Sequence, residues 1–466
     1  MASLDLSLLA PHAAGIRSLL SRGAGSEAAA YMQFGLSEIA ADPWTGAPRQ
    51  RFVSHRFDPV PYEDFVSASD RHVTWKTAGF MRLLTDARNA GTVPAIVHTH
   101  PNGRAAFSKQ DDANEANLAR TVSVKRLPGL LSLVINSEGR IAARLWRDGE
   151  SFEPIEELAI IGPRIHLHGR SSSHVGTDDA LDRQARLFGD QFNADIRSLR
   201  IGIAGAGATG SATGTLLNRL GVGFIYNADK DRLDTTNLNR VHGSRRSDAG
   251  AGRLKVDILE RELAASGCGA QYASKAAWAG DPETWDALKS CDVIFGCTDD
   301  HGGRPFLNRL AHFYGIPLID MGLRMRRPEQ GGVDVFGRVT TVVPGHTCLL
   351  CANVVDPTLA AEDRLKQSDP DSYESLKAEA YLKGGGDPSP AVVTFTTEIA
   401  AVAVNELIAG LTGFHGQHGM MPSRVRRFRH RDDRFADIRP KPGCRLCNTA
   451  VLVGLGDQTP FLDMVT

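Results

Sequence analysis

The sequence predicts an α/β protein of two domains, an N-terminal α+β domain and a C-terminal doubly wound parallel sheet. The chain has 466 residues, which is too many for a single hydrophobic core. After residue 179, apolar strand and helix patterns alternate, as is typical of βαβ units. A polar, Ser- and Gly-rich stretch separates the two regions, so we expect domains at 1–163 and 179–466 joined by a linker at 164–178.

The composition predicts a globular, cytoplasmic protein. The 53 Lys and Arg nearly cancel the 54 Asp and Glu, which argues against bulk electrostatic binding of nucleic acid or membrane. The first residues lack the basic and apolar regions of a secretory signal, and the seven cysteines suit a reducing compartment. The apolar stretch 391–410 is interrupted by Glu398 and Glu406, so we expect a helix buried in protein rather than a membrane span.

The elements of both domains follow from their hydrophobic periodicity. In the first domain the pattern predicts helices at 11–21 and 75–89, strands at 31–39 and 95–97, and a hairpin of 130–136 with 140–146, which together indicate an antiparallel sheet. In the second domain it predicts parallel strands at 199–204, 224–228, 293–297 and 317–321 with helices on both faces.

The first chemical motif follows the strand at 95–97. His98 and His100 are two residues apart, so their side chains point the same way, and Asp111 opens a following helix. Three such ligands leave a zinc ion one open position for water, the arrangement of a catalytic zinc. The alternative is a pair of surface histidines.

The run H-T-H-P-x6-S-x-x-D resembles the signature of the JAMM (JAB/MPN) metallo-isopeptidases, which cleave after the C-terminal glycine of ubiquitin-like proteins. The resemblance implies a JAB-like fold with His98, His100 and Asp111 as zinc ligands and Ser108 as oxyanion support. It also implies a general base just before an early strand, a place that Glu27 fits better than Glu38. A second pair, His166 and His168, lacks the rest of the motif and is assigned to the linker.

The second motif is a glycine-rich loop after the strand at 199–204. Gly205, Gly207 and Gly210 let the backbone approach phosphates at a helix N-terminus, and Asp229 follows where it can hold ribose hydroxyls. Alone this is a dinucleotide fingerprint, so an NAD-dependent oxidoreductase is the rival interpretation. The further cations and the acid at Asp299 favour ATP with Mg²⁺ instead.

The order of these motifs resembles the ubiquitin-activating-enzyme superfamily in its ThiF/MoeB/HesA branch, over residues 180–450. The resemblance implies a Rossmann-like sheet, a homodimer, and adenylation of a C-terminal glycine. Within it the ribose would be held by Asp229 and the Mg²⁺ by Asp299, and Arg183 would reach the partner subunit's ATP. The residues implied on the triphosphate are Asn237, Arg240 and Lys255. Val241 departs from the family pattern, in which a Gln is usual.

The third motif is a pair of C-x-x-C sequences. Cys348, Cys351, Cys444 and Cys447 supply four thiolates, which fill a tetrahedral zinc and predict a structural site. The same two pairs occur in MoeB- and ThiF-like proteins. Residues 352–443 contain no cysteine that could form the thioester seen in many members of the superfamily.

Together the motifs predict a bifunctional enzyme that uses ATP, Mg²⁺ and two zinc ions. One site would hydrolyse (iso)peptide bonds at the C-terminal glycine of a ubiquitin-like or sulfur-carrier protein, and the other would adenylate that glycine. A sulfur donor or a conjugating enzyme would then accept the acyl group. The alternatives are the NAD oxidoreductase and an inactive scaffold. The arginine-rich run 424–434 is interpreted as a solvated strand face, or else as a docking site for an acidic carrier or RNA.

Overall fold

The computed structural model describes residues 2–170, 179–327, 332–378, 390–416, 418–444, 447 and 452–458. These residues form two large sheets, one in each predicted domain. The first sheet has a hydrophobic core of its own, whereas the main core of the second also includes Leu9, Ala159, Ile161 and Ile165 of the first. A small two-stranded sheet, β4 with β5, lies beside the first.

The N-terminal domain is built on a nine-stranded sheet of order β11-β10-β1-β3-β2-β6-β7-β8-β9. Its strands are β1 (Ser3–Leu9), β2 (Ala29–Ile39), β3 (Arg49–Pro59), β6 (Val93–His100), β7 (Leu130–Asn136), β8 (Ile141–Trp146), β9 (Phe152–Ile155), β10 (Glu157–Ile161) and β11 (Ile165–His168), with β4 (Phe65–Ala68) and β5 (Val73–Trp75) in the small sheet. Its helices are α1 (Ala10–Arg22), α2 (Thr77–Ala90) and α3 (Lys109–Val124), with a 3₁₀ turn at Tyr62–Asp64.

The predicted helices and the β7–β8 hairpin are confirmed, but the antiparallel sheet is not. The sheet is mixed, because β1 pairs parallel with β3 and β10, and β6 pairs parallel with β7. The β6–β7 pairing follows from α3, which connects the two strands as a crossover helix. A crossover of this length returns the chain in the same direction and so produces a parallel pair.

The first residues of the predicted linker belong to the sheet. Ile165–His168 form the edge strand β11, which pairs antiparallel with β10. Ile165 and Ile161 are buried there, so the apolar positions of this short strand outweigh the polar character of its neighbours. Residues 171–178 of the predicted linker lie outside the described residues.

The C-terminal domain is built on an eight-stranded sheet of order β14-β13-β12-β15-β16-β17-β18-β19. Its strands are β12 (Arg200–Ala204), β13 (Phe224–Ala228), β14 (Gln271–Lys275), β15 (Val293–Gly296), β16 (Leu318–Arg326), β17 (Asp334–Val342), β18 (Ser423–Arg427) and β19 (Asp432–Phe435). Its helices are α4 (Asp182–Phe188), α5 (Asp190–Ser198), α6 (Ala208–Leu220), α7 (Arg246–Gly250), α8 (Lys255–Ser266), α9 (Pro282–Lys289), α10 (Gly303–Tyr314), α11 (Pro357–Ser368), α12 (Pro370–Ala378) and α13 (Val393–Thr412), with 3₁₀ turns at Asp179–Leu181 and Thr235–Asn237.

The first five strands in this order are parallel, which confirms the doubly wound sheet, and the last three extend it antiparallel. Within this sheet β12 is the first strand in sequence. Strands β13 and β14 follow on one side of it and β15 and β16 on the other, so the strand order reverses between β12 and β15. Ligands of such sheets bind in the crevice at this reversal, beyond the carboxyl ends of the strands.

Helix α13 covers one face of this sheet. By length and composition it is the one helix among the described residues that could cross a membrane, and 56% of its most apolar window is buried within the protein. It packs against α6, β16 and β17. The prediction of a helix buried in protein is therefore confirmed.

The arginine-rich run forms the β18–β19 hairpin at the sheet edge. Its arginines pair with carboxylates, as in the contact of Arg424 with Asp433 at 2.6 Å and of Arg426 with Glu398 at 3.1 Å. These pairs neutralise much of the charge, as expected for a solvated strand face.

The N-terminal domain packs against the amino ends of the parallel strands. Arg51 lies 3.4 Å from Asp292, just before β15, and Arg170 contacts the same carboxylate at 2.6 and 2.7 Å. The ring of Trp44 packs edge-on against Phe224, the first residue of β13, with centroids 5.6 Å apart. We call this interface the domain seam. Burial acts to raise the pKa of Asp292, but the charges of Arg170 and Arg51 hold it far below its usual range. Asp292 is therefore an anion, and the seam contains buried charge pairs.

Residues 452–458, which we call the C-terminal strap, cross the domain seam. The amide of Gly35 on β2 donates to the carbonyl of Gly454 at 3.1 Å, and the amide of Gly454 donates to the carbonyl of His312 on α10 at 2.9 Å. The strap is thus hydrogen-bonded to both domains.

Candidate zinc and nucleotide sites

The β2–β6 pairing brings the residues of the first motif together. His98 and His100 end β6, and Asp111 lies in the first turn of α3. His98 Nε2 lies 3.1 Å from His100 Nε2 and 3.3 Å from an oxygen of Asp111. Ligand atoms held tetrahedrally at about 2.1 Å from a zinc ion are roughly 3.4 Å apart, so this donor set fits zinc. His100 Nδ1 is 3.1 Å from the carbonyl of Arg104, to which it can donate while Nε2 keeps its lone pair.

Glu27 lies beside these residues, two positions before β2. The register pairs Ala29 with His98, which carries the preceding Glu27 to 3.7 Å from His100 Nε2. Its side chain is 5% exposed, and burial raises the pKa of Glu27 to about 7, against the opposing charge of His98. A carboxyl group with a pKa near neutrality can both accept and return a proton.

Asp111 has the opposite electrostatic setting. Burial acts to raise its pKa, but the hydrogen bond and charge of His98 and the amide of Ser108 hold it well below the usual range. Asp111 is therefore an anion near neutrality, which a metal ligand requires.

Ser108 is the N-cap of α3. Its hydroxyl accepts from the amide of Asp111 at 3.2 Å, and its amide donates to the Asp111 carboxylate at 2.6 Å. The contacts of this side chain are thus with the helix end that carries Asp111. Glu38 lies at the far end of β2, and His166 and His168 lie on β11, so none of the three joins the cluster.

The glycine-rich loop lies at the carboxyl end of β12. Gly205 has a φ of +100°, and a Cβ there would lie 2.8 Å from the carbonyl oxygen of Cys297. A Cβ on Gly210 would lie 1.9 Å from the carbonyl oxygen of Gly205, whereas Gly207 faces open space. The loop leads into the 13-residue helix α6, whose first amides favour an anion. These features fit a phosphate-binding loop.

Asp229 lies across this loop at the end of β13. It accepts from the amide of Ala206 at 2.5 Å and from that of Asp231 at 2.7 Å, and burial raises its pKa while Lys255 opposes the rise. Lys255 contacts Asp231 at 2.8 Å. The predicted ribose and phosphate residues Asp229 and Lys255 are therefore neighbours.

The other predicted phosphate residues follow on the next turn. Asn237 is 9% exposed and donates to Asp234 at 3.3 Å, and Arg240 donates to the carbonyl of Thr236 at 2.5 Å. Val241 is buried in a small apolar cluster behind them, so the departure from the family pattern is a packing position.

Asp299 follows β15 and is exposed, and Arg183 is exposed on α4. The motif that contains Asp299 continues to Asp300 and Arg304, to which the sequence analysis assigned no individual role. Asp300 accepts from the amide of Gly303, the first residue of α10, and from the indole of Trp278 at 3.3 Å, and Arg304 donates to the carbonyl of Thr298 at 2.9 Å. These contacts fix the loop that carries Asp299. The D-D-x-x-x-R spacing was the available signal for them.

The four cysteines of the third motif converge. Their sulfurs lie within 4.8 Å of one another, with Cys348 at 3.9 Å from Cys444 and Cys351 at 3.5 Å from Cys447. Sulfurs bound tetrahedrally at about 2.3 Å from zinc are roughly 3.8 Å apart, so this set also fits zinc. It brings the chain near its C-terminal end back to the loop after β17.

The remaining cysteines are poor nucleophiles or lie apart from the crevice. Burial raises the pKa of Cys297 to about 12, and it also raises that of Cys291. Cys268 follows the end of α8.

Comparison with known proteins identifies the families that the two domains match. The profile of prokaryotic homologs of the JAB domain matches residues 9–148, and the ThiF family profile matches residues 181–447. The chain is 30% identical over 155 residues to the adenylyltransferase and sulfurtransferase uba4 of Emericella nidulans, covering 33% of this chain and 30% of that protein. It is 27% identical over 165 residues to the sulfur carrier protein ThiS adenylyltransferase of Bacillus subtilis, covering 35% and 46%.

The matched region thus spans less than half the length of either relative. Among solved structures, E. coli MccB with ATP aligns with a TM-score of 0.45 and 15% identity over 58% of this chain and 75% of that one. The ThiF profile covers more than half of the chain, in the order and positions of the nucleotide motifs. The chain belongs to the ThiF family, and it carries a JAB domain fused to the N-terminal side of its ThiF domain.

Proposed function

We propose that this protein adenylates the C-terminal glycine of a ubiquitin-like or sulfur-carrier protein and hydrolyses (iso)peptide bonds at that same glycine. The proposal depends chiefly on one observation, the convergence of a complete His–His–Asp–Glu set in the JAB domain of a ThiF-family chain. Relatives of the ThiF domain are named an adenylyltransferase and sulfurtransferase and a sulfur carrier protein adenylyltransferase, which supports the first activity.

In the adenylation site the chain's residues position charge. The amides at the start of α6 would hold phosphate, Asp229 the ribose, and Asn237, Arg240 and Lys255 the triphosphate. Asp299 would hold Mg²⁺. The carboxylate of the incoming glycine attacks the α-phosphate, and pyrophosphate leaves as the acyl-adenylate forms. The glycine carboxylate is already nucleophilic, so orientation and neutralisation of charge supply most of the catalysis.

In the JAB site, His98, His100 and Asp111 would hold a zinc ion, which when bound lowers the pKa of its water to about 7. Glu27 accepts a proton from the attacking water and returns it to the leaving amine, consistent with its raised pKa. Ser108 holds Asp111 in position through the cap of α3 and supports the oxyanion in the proposed reaction.

ThiF family membership favours adenylation over the rival NAD oxidoreductase. We further propose that the domains divide at 164–178 and that the four cysteines hold a structural zinc. The ThiF domain would form a homodimer in which Arg183 reaches the partner subunit's ATP. The protein would act in the bacterial cytoplasm. A sulfur donor, an amine or a conjugating enzyme would accept the acyl group.

The proposal is tested with small Gly-terminated proteins encoded beside this gene. One that is a substrate stimulates ATP–pyrophosphate exchange, and the same protein with a C-terminal extension is cleaved after the glycine. We expect the purified chain to hold two zinc ions and His98→Ala to hold one. Nicotinamide binding without exchange would favour the oxidoreductase, and carrier binding without either reaction would favour the scaffold.

A further inference from the structure

A buried arginine connects the candidate zinc site to the strands behind it. Arg144 lies on β8, two strands away from β6, and its side chain is 2% exposed. Its guanidinium donates to Asp112 at 2.6 Å and to Glu115 at 2.8 Å, both on α3. Asp112 directly follows Asp111, so this cation holds the turn of the helix that carries an expected zinc ligand.

Glu115 fixes the rotation of the same helix. It is 2% exposed, and besides Arg144 it accepts from the hydroxyl of Ser132 on β7 at 2.5 Å and from the indole of Trp146 on β8 at 2.8 Å. A buried carboxylate with three donors has one stable position. Helix α3 is therefore attached to two strands through a single side chain.

The arginine also contacts the loop that separates the histidines from α3. Its guanidinium lies 3.8 Å above the ring of Phe107, and that ring lies 6.3 Å from the ring of His98, centroid to centroid. A planar guanidinium can donate to two carboxylates while it stacks on an aromatic face. A lysine ammonium cannot reproduce this set of contacts.

We propose that Arg144 is a positioning residue of the zinc site. By holding Asp111 through the first turn of α3 and Phe107 against His98, it keeps the His–His–Asp set assembled before the metal binds. This inference rests on the proposed function, because it requires that the site binds zinc. Residues that orient metal ligands typically change metal affinity 10- to 100-fold when they are replaced.

The test measures zinc affinity of the full chain rather than its activity. Wild type and Arg144→Lys are equilibrated with a series of buffered zinc concentrations, and the zinc bound per chain is counted. We expect the His98-dependent zinc to bind 10- to 100-fold more weakly in Arg144→Lys, while the cysteine-bound zinc is unchanged. Arg140→Lys is the matched control, since Arg140 lies on the turn before β8 and its side chain is 73% exposed and pairs with the neighbouring Glu138.

A cobalt(II) spectrum separates positioning from stability. The spectrum of His98→Ala is subtracted from each protein, which leaves the bands of the His–His–Asp site. We expect altered bands in Arg144→Lys and wild-type bands in Arg140→Lys. A folded Arg144→Lys with wild-type zinc affinity and wild-type bands would overturn the proposal.

If Arg144→Lys does not fold, Asp112→Asn decides the question. Its carboxylate is 46% exposed, so the change removes one contact of the guanidinium without opening the core. We expect weaker zinc binding in this variant, and wild-type affinity would overturn the proposal. Equal zinc content in wild type and His98→Ala would instead show that the proposed zinc site does not bind zinc. This outcome is distinct from a failure of the positioning role, in which wild type still holds one zinc ion more than His98→Ala.

Discussion

The proposed role of Glu27 depends on the residues that the fold places beside it. In the sequence it precedes an apolar strand, and only the resemblance to the JAMM family distinguished it from Glu38. The β2–β6 register then carries it to 3.7 Å from His100, whereas Glu38 lies at the other end of the same strand. The distinction is therefore one of strand direction.

Replacing Glu27 tests its proposed role. Glu27→Gln keeps the shape of the side chain but cannot accept a proton, so we expect hydrolysis to fall about 10²- to 10⁴-fold. Zinc content and ATP–pyrophosphate exchange are expected to stay at wild-type levels. The control is Glu38→Gln, which should hydrolyse normally. Equal losses in both variants, or full activity of Glu27→Gln, would contradict the assignment.

His12 makes a prediction about pH. Burial lowers the pKa of His12 to about 4, with a further contribution from the neighbouring His55. Above pH 6.5 both folded and unfolded chains carry it neutral. Between pH 6.5 and 4 only the unfolded chain binds the proton, so folding stability is lost as the pH falls, by on the order of 3 kcal/mol.

The expected result is that His12→Gln loses less stability than wild type between pH 7 and 4.5, measured as the free energy of unfolding in urea. His418→Gln, at an exposed position, is the control and should follow wild type. Parallel curves for all three proteins would show that His12 does not carry this acid sensitivity.

At the scale of elements, the sequence predicted what hydrophobic periodicity encodes. The long helices, the β7–β8 hairpin and the central strands β12, β13, β15 and β16 all follow from it. The edge strands β11 and β14 do not, because they are short and mostly polar, and their pairing comes from the neighbouring strand. The parallel β6–β7 pair was also not predicted. Strand direction there depends on how the crossover helix α3 connects the two strands, which the hydrophobic pattern of the strands does not reveal.

For the candidate sites too, the sequence predicted the residues that are close together along the chain and not the contacts between distant segments. Motif spacing indicated the candidate ligands His98, His100 and Asp111 and the glycine loop, because the residues of each motif are close in sequence. The contacts of Arg144 with Asp112 and Glu115 on α3 join segments about 30 residues apart, and no sequence spacing signals them. Long-range ion pairs of this kind depend on the register of the finished sheet.

The C-terminal strap gives a prediction at this scale. A Cβ on Gly35 would lie 2.2 Å from the carbonyl carbon of Leu455, in rigid backbone. Gly35→Ala must therefore displace the strap, and we expect a loss of about 1–3 kcal/mol, seen as a lower melting temperature and faster hydrogen exchange in residues 452–458. Gly250→Ala, whose new methyl group meets open space, should leave both measurements unchanged. Identical behaviour of the two variants would show that the strap is not held there.

For the whole molecule, the domain seam separates the two candidate sites. The N-terminal domain packs against the amino ends of β12, β13 and β15, whereas the glycine loop and Asp229 lie at their carboxyl ends. Glu38 lies at the seam, where its carbonyl accepts from Lys289 on α9, and Glu27 lies about 36 Å from it along β2. Six residues of fully extended chain reach only about 20 Å. We therefore expect each site to engage the carrier in a separate encounter.

The most direct test of this account is a reciprocal measurement of both reactions in two variants, His98→Ala and Asp299→Ala, with one Gly-terminated carrier and its extended precursor. We predict that His98→Ala loses cleavage of the precursor but keeps wild-type ATP–pyrophosphate exchange, and that Asp299→Ala shows the reverse. Loss of both reactions in either folded variant would contradict two independent sites in one chain.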